Sequence, residues 1–426
     1  MQAQPYTTTL ANALRVVAIP MPWRATASLS VFVRTGSLHE AARDSGISHV
    51  VEHMAFKGTA TRDCQRVNLD AEALGAEVNA HTDKDHTAFH IEGLSQDLPA
   101  FVELLADIVL NPRFPADELE RERGVIEQEF AEFEDDPAAL AFRLFDRACY
   151  GGLHAAGRPI IGTRANIRRF TRTELLDYVR RQYTASNVVV TLAGPIDGAG
   201  FERFAREVER AFGAMPAGAP NRFDAPQWQG GVKTGRLAGA GQCQLVLGYA
   251  APALADDAHA AHVLAAALLG EGMSSPLLDE IRERRGLAYQ LGCAADIWPH
   301  AGQFVVDAAT APEQAAELLE AVHALLRRHA EAPLDAVALA RARKQLAVRA
   351  LRGLEQPAKR MEAAALDLFT FGRLRDTAEW LARLDAVSAA EVAAVFGAMG
   401  SQRPALALAG SVPVAARARG VALFGG

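Results

Sequence analysis

Cysteine is scarce in this 426-residue chain, and the four present, Cys64, Cys149, Cys243 and Cys293, stand alone. None has the C-x-x-C spacing of a zinc knuckle or redox pair, and four in so long a chain make no disulfide framework. Buried thiols are expected instead. Aromatics are sparse too, at 7%, which removes the stacking platform of a base-binding surface. Basic charge is not in excess. With a formal net charge of -7, no cationic stripe offers itself to phosphates, so nucleic acid is excluded as a main partner. No apolar run reaches the ~20 residues that span a bilayer, and no membrane partner is expected. A dinucleotide or phosphate-loop glycine fingerprint is missing as well, since Gly270-Glu271-Gly272-Met273 follows a helical pattern rather than a strand. The start, Met1-Gln2-Ala3-Gln4-Pro5, has neither a basic segment nor an apolar stretch before strand-like sequence. No signal peptide is read there, and a cytoplasmic location is expected, with a periplasmic one the alternative if a leading segment has been trimmed.

What is present is an α/β pattern used twice. Val31-Phe32-Val33-Arg34-Thr35-Gly36 leads through a polar loop to a helical pattern at His49. Shifted by 213, Gln244-Leu245-Val246-Leu247-Gly248-Tyr249 leads to a helical pattern at His262. Leu119-Glu120-Arg121-Glu122-Arg123 is echoed by Leu339-Ala340-Arg341-Ala342-Arg343, with alanine for glutamate. Val188–Ala193 reads as a buried strand, and Ala405–Ala409 is its counterpart. A repeat of this length exceeds any solenoid period, so two duplicated domains are expected, one armed and one disarmed. The boundaries are 1–214 for the first, 215–228 for a Pro/Gly-rich linker, and 229–426 for the second. Helical patterns near 98–110, 116–134, 173–182, 312–328 and 335–352 complete the reading.

The chemistry begins at His49-Val50-Val51-Glu52-His53. Two imidazoles four apart share one face of a helical turn, with a carboxylate beside them: the H-x-x-E-H pattern of an inverted zinc-peptidase motif. A catalytic zinc uses three protein ligands, so a third is expected from a carboxylate or imidazole on another element. The acidic stretch from Asp117 to Asp136 offers candidates. Most of its glutamates suit a solvated face. Glu122 and Glu129, seven apart, share a face that also carries Val125 and Ile126 and is expected to point inward. A carboxylate there is costly unless it is paired or holds a metal.

These residues resemble the pitrilysin/insulinase family of zinc peptidases, in its half-length branch that includes the mitochondrial processing peptidase. His49–Thr59 is similar to the family's ligand helix almost residue for residue. The likeness continues through Asn79-Ala80-His81-Thr82, Gly157–Thr163, Gly272-Met273-Ser274-Ser275 and Arg282–Tyr289. It implies an α+β (mixed α/β) fold of two homologous domains, each a mixed, mostly antiparallel sheet covered by helices. It implies one zinc per chain, held by His49, His53 and Glu129, with Glu52 as general base and Glu122 orienting a ligand. Asn79, Ala80, His81 and Thr82 would form an edge strand to which an extended peptide adds. Arg282 and Tyr289 would grip substrate carbonyls and stabilise an oxyanion.

The resemblance further implies a zinc-dependent endopeptidase acting on unfolded peptides inside a chamber closed by two chains. The site would be composite, with zinc from one chain and Arg282 and Tyr289 from the other. Because this chain carries both sets, a homodimer is the simpler expectation, and a heterodimer with a related chain is the alternative. Competing functions are a non-catalytic scaffold subunit of the same fold and a small-molecule metal hydrolase. His81, His86 and His90 read as structural or substrate-facing, since His86 and His90 lie ~13 Å apart on a strand. His259 and His262 form an H-x-x-H without a base and are expected to bind nothing.

Overall fold

The computed structural model describes residues 4–425; Met1–Ala3 of the N-terminal reading lie outside them. Eleven strands form two sheets among the described residues. The first contains β1 (Tyr6–Thr9), β2 (Arg15–Pro20), β3 (Thr26–Val33), β4 (Glu77–Thr82), β5 (Thr87–Leu94) and β6 (Val188–Gly194). Its order is β1-β2-β6-β3-β5-β4. Only β2 and β6 run parallel; every other pairing is antiparallel. The second sheet contains β7 (Gly231–Arg236), β8 (Cys243–Ala251), β9 (Gln290–Ile297), β10 (Gly302–Thr310) and β11 (Ala405–Gly410), in the order β7-β11-β8-β10-β9. There too a single parallel pair, β7 with β11, sits among antiparallel ones. The second sheet therefore repeats the first without β1, as the duplicated sequence pattern predicts.

Local sequence explains the placement. β6 (VVVTLAG) and β11 (ALALAG) are buried at every position, as continuous apolar runs between two neighbours must be. β4 (EVNAHT) alternates between exposed and half-buried positions, the pattern of a strand paired on one side only.

The chain folds into two compact units that do not follow its halves. The first comprises the described residues up to Phe130, Pro159–Asp224 and Gly353–Leu374. The second comprises Ala131–Arg158, Ala225–Arg352 and the described residues from Arg375 onward. Helix Pro137–Tyr150, from the first half, packs on β7, β8 and β11 of the second unit. Helix Pro357–Phe371, from the second half, packs on β2, β3 and β6 of the first. There Met361, Ala365, Leu368 and Phe369 join Val17, Phe32, Ala88 and Val189 in one apolar cluster. Continuous domains cut at 214 and 229 thus describe the repeat but not the packing. Apolar periodicity marks a helix's buried face without naming the sheet that will cover it.

The segment read as a linker carries no regular structure over 216–230, yet its first part, up to Asp224, is tied down within the first unit. Ala185 and Ser186 N–H donate to the carbonyls of Pro216 and Ala217 at 2.8 and 2.9 Å. The Asn221 amide donates to Arg34 and Gln182 carbonyls, both at 2.9 Å.

Of the thiols expected to be buried, Cys149 and Cys243 are, whereas Cys64 and Cys293 are half-buried; no disulfide is formed. No helix among the described residues is long and apolar enough to cross a membrane.

Candidate metal centre

The H-x-x-E-H residues lie on helix Ile47–Ala55 in the first unit. Its entry is set by Gly46, whose φ of 97° suits only glycine and whose added Cβ would sit 2.8 Å from the Ile161 carbonyl oxygen. Buried Glu40 then caps the first turn, accepting from Gly46 N at 2.7 Å and from Ser48 N at 2.9 Å. A carboxylate there also meets the positive end of the helix dipole. Ile47, Val50, Val51 and Met54 are buried, so the helix cannot rotate without exposing them. This fixes where His49 and His53 point.

Glu122 and Glu129 lie on helix Ala116–Asp135. Its inward face is Leu119, Glu122, Ile126 and Phe130. Val125, placed on that face by the sequence reading, is half exposed instead. Glu129 lies at the edge of the face and reaches the imidazoles from there.

Three donors meet. His49 Nε2 and His53 Nε2 are 3.2 Å apart, Glu129 Oε1 is 3.4 Å from the former, and Glu129 Oε2 is 3.5 Å from the latter. An ion with ligand bonds of ~2.0–2.1 Å in tetrahedral geometry separates neighbouring ligand atoms by ~3.3 Å. The two imidazole nitrogens match that edge, and Glu129 presents one oxygen to each of them at a similar distance, so the three residues are placed to hold a zinc-sized ion.

The surroundings prepare the donors. His53 Nδ1 is 2.9 Å from Glu122 Oε1, and Lys57 Nζ is 2.7 Å from Glu122 Oε2. Burial opposes the Glu122 charge, but hydrogen bonds from His53 and Lys57 hold its carboxyl below the ordinary range. An ionised carboxylate only accepts, so the shared proton sits on His53 Nδ1 and Nε2 is the ligand atom. For the His53 ring, burial disfavours charge, yet hydrogen bonds to Glu122 and Glu129 and the field of Glu52 raise its pKa to about 9. Hydrogen bonds from His49 and His53 hold Glu129 well below the carboxylate range. The metal-free site is therefore a net-negative cradle in which a proton competes for His53. His49 Nδ1 is buried without a hydrogen-bond partner.

Glu52 sits one helical position from His53 and takes no part in the triangle. Its Oε2 accepts from Thr82 Oγ1 at 2.8 Å, which joins the helix to β4. The predicted edge-strand residues Asn79, Ala80, His81 and Thr82 do lie on the outermost strand, whose only strand neighbour among the described residues is β5.

Arg282 and Tyr289 belong to the second unit. The Arg282 guanidinium lies 4.7 Å from the centre of the Tyr289 ring and donates toward Met273 Sδ at 3.6 Å. Tyr289 is 76% exposed, so it is not a core residue. His259 stacks on Trp380 and its Nδ1 meets the Asp256 carbonyl, whereas His262 Nδ1 meets that of Ala258. Sequence reasoning, which read His81 and His86 as structural or substrate-facing, missed that they face each other across the β4–β5 hairpin. Spacing along a single strand could not reveal a contact made across a turn.

The sequence profile described as "Insulinase (Peptidase family M16)" matches residues 15–164. One described as "Peptidase M16 inactive domain" matches 169–346. An uncharacterized zinc protease of Mycobacterium tuberculosis is 34% identical over 416 residues, covering 95% of this chain and 93% of its own. An uncharacterized zinc protease of Bacillus subtilis, YmxG, is 27% identical, with 94% and 97% covered. Among solved structures, a protease from Helicobacter pylori superimposes with a TM-score of 0.85 at 21% identity, covering 96% of this chain and 99% of its own. At that identity the likeness shows the fold alone.

Proposed function

The chain belongs to the insulinase family of peptidases, M16, and from that premise we propose that it is a zinc-dependent endopeptidase. Its substrates are unfolded peptides bound in extended form. The observation that supports this reading best is the three-donor triangle of His49, His53 and Glu129 with an unliganded carboxylate, Glu52, on the same helical turn.

A zinc ion in this cradle would supply Lewis acidity, activating a water and polarising a carbonyl. Glu52 takes the water proton and later delivers it to the leaving amine. Thr82 holds one Glu52 oxygen, which fixes the carboxylate beside the ligand residues. Glu122, itself anchored by Lys57, keeps His53 in the correct tautomer and orientation. β4 offers its unpaired backbone edge to an extended chain, which selects unfolded substrates by shape more than by sequence.

Arg282 and Tyr289 are assigned to substrate carbonyls and the tetrahedral oxyanion, supplied by the second chain of a dimer that closes the chamber. The exposure of Tyr289 is compatible with a phenol offered to another surface. Since one chain carries both sets, a homodimer is the simpler assembly.

One experiment tests both points. Glu52→Gln lowers cleavage of an unstructured fluorogenic peptide by roughly 10²–10⁴-fold while retaining zinc. Mixing inactive Glu52→Gln chains with inactive Tyr289→Phe chains restores part of the activity, because one site of each mixed dimer is intact. Full activity in Glu52→Gln contradicts the peptidase assignment. No recovery on mixing, with subunit exchange verified, contradicts the shared site.

A further inference from the structure

On the face of the first sheet opposite the zinc-motif helix lies a second cluster of metal-ligating side chains. Thr82 turns toward that helix, as its bond to Glu52 shows, so His81, its neighbour on β4, turns away. Across the hairpin, His81 pairs with Ala88 and Asn79 with His90. Ala88 belongs to the apolar cluster that helix Pro357–Phe371 forms on this face. The helix brings Glu362 with it.

His81 Nε2 and His86 Nε2 are 3.4 Å apart. A Glu362 carboxylate oxygen lies within 4.8 Å of a ring nitrogen on each. The imidazole separation is again the ~3.3 Å edge of a tetrahedral site. His86 is 1% exposed, and its Nδ1 is 2.8 Å from Asp85 Oδ1. Burial opposes the Asp85 charge, but the hydrogen bond from His86 holds its carboxyl below the ordinary range. In the neutral ring the proton therefore sits on His86 Nδ1, which leaves Nε2, the atom nearest His81, as the ligand atom. A carboxylate–histidine pair of this kind orients a ligand imidazole in metal sites. Asp83 and Glu362 both act on the His81 and His86 rings, adding negative field.

We propose that His81, His86 and Glu362 form a second site for a divalent transition metal of the zinc class, oriented by Asp85 and separate from the His49–His53–Glu129 centre. Two imidazoles and one carboxylate suit zinc or cobalt and disfavour calcium or magnesium, which take oxygen ligands. An ion here would join the β4–β5 hairpin to helix Pro357–Phe371, stapling the edge strand to a helix from the far half of the chain. The alternative occupant is a proton shared between the two rings.

The site is tested in the full chain with the first centre removed by His49→Ala and His53→Ala, so its outcome does not depend on the peptidase reading. The chelator-treated variant is titrated with Co²⁺, read by visible absorption, and with Zn²⁺, read by calorimetry. One equivalent is expected, accompanied by a metal-dependent rise in melting temperature. Asp85→Asn should weaken binding by roughly 10–100-fold, and Glu362→Gln by at least as much. Glu362 is only half-buried, so its variant keeps the test decisive should substitution at buried His86 impair folding. Absence of stoichiometric binding, or binding indifferent to both Glu362→Gln and Asp85→Asn, overturns the proposal in favour of the shared proton or of adventitious surface ions.

Discussion

In the first unit the helix that follows β3 carries His49, Glu52 and His53. In the second, the helix that follows β8, His259–Gly270, carries His262, Ala265 and Ala266 at the positions 213 further on. The acidic helix differs likewise: shifted by 220, Glu122 becomes Ala342 and Glu129 becomes Arg349, which pairs with Glu271. Strand order and the single parallel pair are otherwise shared. The fold is thus indifferent to the metal chemistry, and a few side chains decide it. Burial explains how the disarmed copy stays stable. Ala265 and Ala266 lie in the second unit's core with no polar atoms to satisfy. The armed copy instead pairs its buried charge, Glu122 lying between His53 and Lys57.

Returning the motif to the second unit is the harshest way to probe this contrast. Ala265→Glu places a carboxylate at a fully buried position. The expected cost is about 3–5 kcal/mol, read by chemical denaturation. A neutral outcome would mean that the second helix tolerates the charge and that burial does not explain its disarming.

A smaller effect separates orienting from ligating residues in the first unit. Glu122→Gln should weaken zinc binding by roughly 10–100-fold, measured by competition with a chromophoric chelator. Glu129→Gln, which removes a donor, should weaken it further. Equal losses would place both carboxylates on the ion.

The mildest test is titration of the two histidines at the repeated position and its neighbour. In metal-free protein His53 titrates near 9, raised by its carboxylate partners against burial. His262 titrates below its ordinary value because burial disfavours its charge, despite its bond to the Ala258 carbonyl. The sign follows for His53. Its contribution to metal-free stability is complete below the unfolded value of about 6.5 and is lost as pH rises through about 9. Over the same interval zinc affinity increases, because fewer protons compete for Nε2. Imidazole proton resonances followed from pH 5 to 10 would read both residues. Titration of His53 below 6.5 would mean that the Glu122 and Glu129 contacts are not formed in solution.

Much of this arrangement was legible in the sequence, and the reasons are specific. The i, i+4 spacing of His49 and His53 needs only helical geometry, and their burial follows from Ile47, Val50 and Val51 around them. The seven-residue spacing of Glu122 and Glu129 gave their common face, although Val125 does not share it. Duplication was visible because the β3 and β8 patterns align without a gap. The exchange of helices Pro137–Tyr150 and Pro357–Phe371 between units was not visible, since an amphipathic stripe does not identify its partner. For the same reason Glu362 could not be connected with His81 and His86 until the helix was seen on the first sheet.

The three-residue metal centre is tested most directly by the position of zinc in crystals of the full chain, located by anomalous scattering at the zinc absorption edge. A peak is expected at ~2.0–2.2 Å from His49 Nε2, His53 Nε2 and a Glu129 oxygen, lost in His53→Ala. No peak among these three residues in zinc-loaded crystals, or one that survives His53→Ala unchanged, would contradict it.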